Sequence, residues 1–173
     1  ELAAADPEAA ARLHPNDRKR IVRALEVFQQ TGKTISQHNR ETRALPLRYD
    51  ALTLSLAFQC REDMWARIDR RVDEMMAAGL AEEVRALLDS GVPVRCTAMQ
   101  AIGYKEMAAA LRGGGDVCAA AEEIKLRSRQ YAKRQLTWFR RTEGAKWLFW
   151  GPEPDFEAAC RTSTKYLEEF GLV

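Results

Sequence analysis

Seven bases and no acid fall between Lys125 and Arg141 of this 173-residue chain: Lys125, Arg127, Arg129, Lys133, Arg134, Arg140 and Arg141. Side chains of these types do one kind of chemistry well, which is to hold anions, and phosphate above all. In a chain of net charge +2 the remaining residues then carry −5, so the positive charge is local and points to a local anionic partner. Two smaller sets of bases accompany it. Lys19, Arg20 and Arg23 sit near the start of one helical pattern, and Arg67, Arg70 and Arg71 interleave with the apolar positions of another. Cysteine and histidine offer nothing comparable. Cys60, Cys96, Cys118 and Cys160 are far apart and form no CxxC pair; with only His14 and His38 beside them, neither a zinc site nor a disulfide framework is expected.

The element that must position the seven bases is a long helix from Val117 to about Arg141. At 100° per residue Ile124, Tyr131 and Trp138 fall within about 40° of one another. Ala132 and Phe139 widen that arc, which reads as the buried face. The bases take its flanks, Lys125, Arg129, Lys133 and Arg140 on one side and Arg127, Arg134 and Arg141 on the other. Like charges four residues apart, as at Arg129 and Lys133, destabilise a helix by about a few tenths of a kcal/mol per pair. Two acid-free flanks therefore suit phosphates better than water, and charge alone does not separate RNA from DNA.

Upstream, Asn16 or Asp17 caps a helix that ends at Gly32 and buries Ile21, Leu25 and Phe28. Lys19, Arg20 and Arg23 lie off that stripe in the first turns, where the helix dipole disfavours cations. They are either solvated or offset by a docked anion. Residues 37–48 read as a short helix or a loop. Residues 52–58 alternate with period two, as a strand does. Helices follow at 62–78, with Trp65, Ile68, Val72 and Met75 on one face, and at 81–89. Residues 97–107 are helical in pattern with Gly103 inside, a placement that costs about 1 kcal/mol relative to alanine. Close helix packing would explain it, and so would a ligand lying on the backbone beside Gln100, Tyr104 and Lys105. A glycine turn at 113–115, a strand at 146–150 and a helix at 152–170 complete the chain. The fold class is mainly α with two short strands, and no third segment is available to complete a sheet. At 46% hydrophobic and 30% charged residues the composition is that of a soluble globular protein. No apolar run approaches the ~18 residues of a membrane span, so the chain is read as cytoplasmic with no membrane partner.

Taken in order, HPNDRKRIVRALEVFQQTGKTIS, RIDRRVDEMMAAGLAEEV, TAMQAIGYKE and RQYAKRQLTWFRR resemble the bacterial tRNA dimethylallyltransferase (isopentenyltransferase) family over most of residues 6 to 147. The resemblance implies a P-loop-kinase-like α/β transferase fold with an inserted helical domain, of which this chain is the C-terminal part. Residues 1–16 would end the inserted domain, 17–150 belong to the core with its tRNA-binding helices, and 151–173 form a C-terminal helix. It also implies an activity: with Mg²⁺ assisting, a dimethylallyl group passes from dimethylallyl diphosphate to N6 of the adenosine 3′ of the tRNA anticodon. The sequence departs from the family at the phosphate loop. There is no GxxxxGK[ST], because Gly113 to Gly115 is not followed by Lys-Ser/Thr. That loop and the family's general-base aspartate are expected before residue 1. The start ELAAADPEAAARLHP agrees, having neither a methionine nor a capping signal of its own. No catalytic residue and no metal ligand is assigned within the chain, which alone is expected to be inactive.

For the anticodon stem-loop the resemblance implies three contact segments: Lys19, Arg20, Ile21, Val22 and Arg23; Gln100, Ala101, Ile102, Gly103, Tyr104 and Lys105; and Lys133, Arg134, Gln135, Leu136, Thr137, Trp138, Phe139 and Arg140. In the last segment the periodicity leaves Tyr131 and Trp138 as core anchors and recognition to the polar residues. Arg67 or Arg71 would reach the diphosphate, the alternative being an ion pair with Asp69 or Asp73. Two strands without partners would expose sheet edges and invite self-association. A stand-alone helical RNA-binding module without catalysis, and a helical scaffold whose basic helix meets an acidic protein, remain open beside this reading.

Overall fold

The structure, a computed structural model, describes residues 1–46 and 48–172 and divides the chain into two compact units, Glu1–Ala51 and Leu52–Val173. The sequence reading places its divisions after residues 16 and 150 instead.

The first unit holds four helices, α1 (Leu2–Ala5), α2 (Pro7–Arg12), α3 (Arg18–Thr31) and α4 (Ile35–Ala44). A capping signal is present near the start after all. Asp6 Oδ1 accepts from the Ala9 N–H at 3.0 Å, and Pro7 takes the first helical position, where its missing N–H costs nothing. Asp6 Oδ2 accepts from the Ser36 N–H at 3.0 Å, so one buried carboxylate ties α2 to the start of α4. Burial opposes its ionisation, but the hydrogen bonds from Ala9 and Ser36, with Arg12 nearby, outweigh this and hold the carboxyl below its usual range. α3 begins at Asp17 and ends at Gly32, whose φ of 71° suits glycine at that position. The stretch left open between helix and loop is α4 as far as Ala44, started by a Thr34–Gln37 capping box. Leu2, Ala9 and Ala24 form the core, with Ile21 and Leu25 packed against it; Phe28 is 38% exposed.

In the second unit β1 (Leu54–Phe58) and β2 (Lys146–Trp150) pair in parallel, Leu54 opposite Lys146 through Phe58 opposite Trp150. The strands expected to lack partners are each other's partner. A parallel pair requires a long crossover, and here it is helical: α5 (Arg61–Ala77), α6 (Leu80–Asp89), a 3₁₀ turn (Ala98–Gln100), α7 (Tyr104–Gly113) and α8 (Val117–Phe139), with α9 (Phe156–Phe170) after β2. The core gathers Val72 from α5, Val84 from α6, Met99, Met107 from α7 and Ile124 from α8. Full burial of such side chains contributes about 1.5–3 kcal/mol each.

Gly103 is not inside a helix. With φ 106° and ψ −64° it is the break between the 3₁₀ turn and α7. A Cβ there would meet nothing nearer than Met75 Cε at 3.8 Å, so backbone conformation, not a close approach, requires glycine. Among the described residues no helix is long and apolar enough to cross a membrane.

Candidate nucleic-acid interface

α8 is packed along its first half and largely exposed along its last turns. Its inward positions, Ile124, Ser128, Ala132 and Leu136, step by four residues, so the contact line rotates by about 40° per step. By Leu136 that line has swung to the side opposite Trp138. Tyr131, Trp138 and Phe139 are accordingly 48%, 65% and 37% exposed, and the expectation that they face the core is corrected. A stripe of period seven presumes a neighbour lying alongside, whereas helices crossing at an angle meet along the i±4 row. The Arg134 guanidinium lies 5.6 Å from the Tyr131 ring centroid, and Trp138 and Phe139 meet edge-on at 5.3 Å. Aromatic faces therefore stand in solvent among bases.

The acid-free run is only partly unbalanced in space. Lys125 Nζ lies 2.7 Å from Asp73 and 2.8 Å from Glu122, and these partners push its pKa up. Arg127 Nε is 2.6 Å from Glu123, and Arg129 Nη1 is 2.9 Å from Asp69. Lys133, Arg134, Arg140 and Arg141 have no carboxylate within 4.0 Å among the described residues. Asp69 and Asp73 are thus committed to α8, and the expected alternative of an ion pair with Arg67 or Arg71 is not realised. Those two arginines lie one turn apart on α5, exposed and without a carboxylate partner among the described residues, while Arg70 pairs with Glu153 at 3.5 Å.

Two grooves flank α8, and Gln130 on its crest lines both. The groove towards α7, about 640 Å³, brings Gln100, Ile102 and Lys105 together with Arg127 and Arg134. The other, about 730 Å³, opens at the C-terminal end of β1 and gathers Lys133, Leu136, Thr137 and Arg140 around Arg129. On its far wall Trp65 lies beneath two guanidiniums, Arg61 at 4.5 Å and Arg129 at 5.8 Å from its centroid. Sequence reasoning placed Trp65 in a core stripe and passed over Arg61 and Phe58. The available signal was their position directly after a strand, since parallel strands bind ligands beyond their carboxyl ends.

The remaining expected contact residues are dispersed. Gln135, Trp138 and Phe139 are exposed and line neither groove. Gln100 is anchored by its own amide, which donates to the Val94 carbonyl at 2.8 Å. Ala101, Gly103 and Tyr104 border a smaller recess shared with Ile102. Lys19, Arg20, Ile21, Val22 and Arg23 belong to the first unit. There Ile21 packs on the core and Val22 is 51% exposed; Arg20 pairs with Asp17 at 3.4 Å and Arg23 with Glu26 at 3.6 Å, and Lys19 has no such partner among the described residues. Among the described residues there is no group of three or more His, Cys, Asp or Glu that could hold a metal ion.

The architecture is mainly α with one pair of short parallel strands joined by a helical crossover, and a cationic groove opens beyond the carboxyl end of β1. The family model for IPP transferase matches residues 1–142, and the chain belongs to that family. It is 50% identical over 147 residues to the tRNA dimethylallyltransferase of Geobacter sulfurreducens, covering 85% of this chain and 47% of that protein. To the Bacillus subtilis tRNA dimethylallyltransferase it is 46% identical over 157 residues, covering 91% and 49%. A crystal structure of the full-length tRNA isopentenylpyrophosphate transferase of Bacillus halodurans matches with a TM-score of 0.67 at 36% identity, over 98% of this chain and 50% of that one. The Staphylococcus epidermidis tRNA delta(2)-isopentenylpyrophosphate transferase matches with a TM-score of 0.60 at 35% identity, over 97% and 54%. The chain spans about half the length of the relatives it matches.

Proposed function

We propose that this chain is the tRNA-gripping part of a tRNA dimethylallyltransferase and holds the anticodon stem-loop along α8. The observation that carries this reading is the set Lys133, Arg134, Arg140 and Arg141, left without carboxylates where the first three bases of the helix are neutralised. Gln135, Leu136 and Thr137 fill the spaces between these bases, and the exposed Tyr131 and Trp138 offer faces on which unpaired bases stack. Lys105 adds a cation across one groove, and Lys19, Arg20 and Arg23 supply the contacts of the first unit. Arg67 and Arg71, unpaired and one turn apart, are assigned to the diphosphate of the dimethylallyl donor, since a guanidinium fork suits an anionic leaving group. Transfer to N6 of the adenosine 3′ of the anticodon requires a phosphate loop, a general base and Mg²⁺, none of which is assigned to these residues. The chain alone is therefore expected to bind RNA in the cytoplasm without modifying it.

Leu56 and Phe149, 54% and 60% exposed on the strand pair, also favour self-association at high concentration, because parallel sheets are normally covered on both faces. Filter binding of an anticodon stem-loop RNA at several salt concentrations tests the main reading. Affinity that falls steeply with salt is expected; affinity indifferent to salt overturns it.

A further inference from the structure

The smaller recess, about 250 Å³, lies between the end of α5, the start of α6 and the turn Ala101–Gly103. Its walls are largely apolar, formed by Met75, Leu80, Ile102 and the Tyr104 ring, and it presents one acid, Glu83. The Tyr104 hydroxyl donates to Glu83 Oε1, and the carboxylate beside it pushes the phenol pKa up. Glu83 makes no other side-chain hydrogen bond among the described residues, so its second oxygen is available. The turn is fixed before any ligand arrives, since the Gly103 N–H donates to Glu106 Oε2 at 2.9 Å and Gln100 holds the Val94 carbonyl.

We propose that this recess takes one unstacked, amino-bearing nucleobase of the bound RNA, with its amino edge on Glu83 and its face against Tyr104. The proposal rests on the RNA-binding reading above. Three observations carry it. Ile102 lines both the recess and the groove that holds Lys105 and Arg134, so a strand whose phosphates lie on those cations passes the mouth of the recess. A carboxylate repels phosphate and accepts only from donors, which favours the amino edges of adenine, cytosine or guanine over uracil, whose single N3–H donor lies between two carbonyl oxygens. Size agrees, because a cavity of about 150 Å³ accommodates benzene and this one has room for a larger single heterocycle. Glu83 acts as a specificity residue and Gly103 as the fixed break that presents Tyr104.

The test is a scan of the anticodon stem-loop with single abasic nucleotides, read as dissociation constants for the parent chain and for Glu83→Gln. This variant keeps the side chain's size but replaces one acceptor oxygen by an amide donor, which opposes an amino edge. One loop position is expected to cost the parent about tenfold or more when its base is removed, as loss of one stacked base does. In Glu83→Gln the intact RNA is weakened, the same abasic change costs little more, and the salt dependence stays that of the parent, because no phosphate contact is lost. Tyr104→Phe, which removes the hydroxyl that orients Glu83 but keeps the ring, is expected to weaken binding at that position alone. Abasic costs that are identical in parent and variant at every position overturn the proposal, as does a changed salt dependence in Glu83→Gln. Failure of the parent chain to bind the stem-loop in a salt-dependent way overturns the RNA-binding reading as well, and so tells the two failures apart.

Discussion

Removing the charges of Lys133 and Arg134 separates two accounts of the basic helix, one in which all seven bases grip phosphate and one in which only the unpaired four do. Each neutralised phosphate contributes a slope of about 0.9 for duplex, or about 0.7 for single strands, to the fall of log affinity with log salt. Four contacts between about 50 and 200 mM salt then account for a roughly 50- to 150-fold loss of affinity, whereas seven would account for about a thousandfold or more. Lys133→Ala with Arg134→Ala should lower the slope by about 1.4 to 1.8. The control is Glu123→Ala with Arg127→Ala, which deletes a base and its partner together, the Arg127 nitrogen lying 2.6 Å from Glu123. Net charge is unchanged and both side chains are at the surface of α8, so the fold is not at risk. This pair should leave the slope where it was. Filter binding of the anticodon stem-loop at four or more salt concentrations gives both slopes. A slope reduced by about 0.7 to 0.9 in the control, the share of one phosphate contact, would refute the reasoning, because a base held by its own acid would then be contacting phosphate as freely as an unpaired one.

Three further outcomes follow from single residues. Asp6 has its carboxyl pKa lowered in the folded chain, so its contribution is present above the unfolded value of about 3.9 and is lost as pH falls through the lower folded value. Acid titration followed by circular dichroism should show this step, and Asp6→Asn, which keeps a capping oxygen for the Ala9 N–H but turns an amide group towards the Ser36 N–H, should remove it while costing about 1–3 kcal/mol for the unmet donor. Gly103→Ala places a Cβ at φ 106° and should destabilise the second unit by about 1–3 kcal/mol in urea denaturation; an unchanged midpoint would mean that the turn relaxes freely. The Cys60 thiol donates to Asp63 at 2.9 Å, and this bond raises its pKa. Asp63→Ala should therefore speed alkylation of Cys60 by iodoacetamide at pH 8, measured by peptide mass spectrometry, and an unaltered rate would discount the hydrogen bond.

What could be read from the chain beforehand was what is decided locally. The α5 and α6 boundaries follow from apolar spacing and from Gly79, the 146–150 strand from its aromatic run, and α3 from Asp17 and Gly32. The membership of the family was legible because RQYAKRQLTWFRR and TAMQAIGYKE are each distinctive over many residues. Gly103 was misplaced because spacing alone does not distinguish a continuous helix from a 3₁₀ turn, a left-handed break and a new helix. The exposure of Trp138 was misread because the direction in which a neighbouring helix crosses is absent from the sequence of either helix.

The largest gap concerns charge. Arg129 meets Asp69 across 60 residues of chain, and Lys125 meets Asp73, so a count along α8 could find Glu122 and Glu123 just before the run but not these two counter-ions. Two of the three contacts that conceal bases from a ligand, those of Lys125 and Arg129, also fix the helix on α5. Asp69 Oδ2 accepts from Arg129 at 2.9 Å, while its Oδ1 is buried without a partner. Packing therefore decides recognition by subtraction. Lys125 and Arg129, near Ile124, are consumed in holding α8 to α5, and Lys133, Arg134, Arg140 and Arg141, towards and past the end of the packed face, are left for an anion. A ligand that needs several phosphates contacted at once must then bind at the exposed end of the helix, where the two grooves and the aromatic faces also converge.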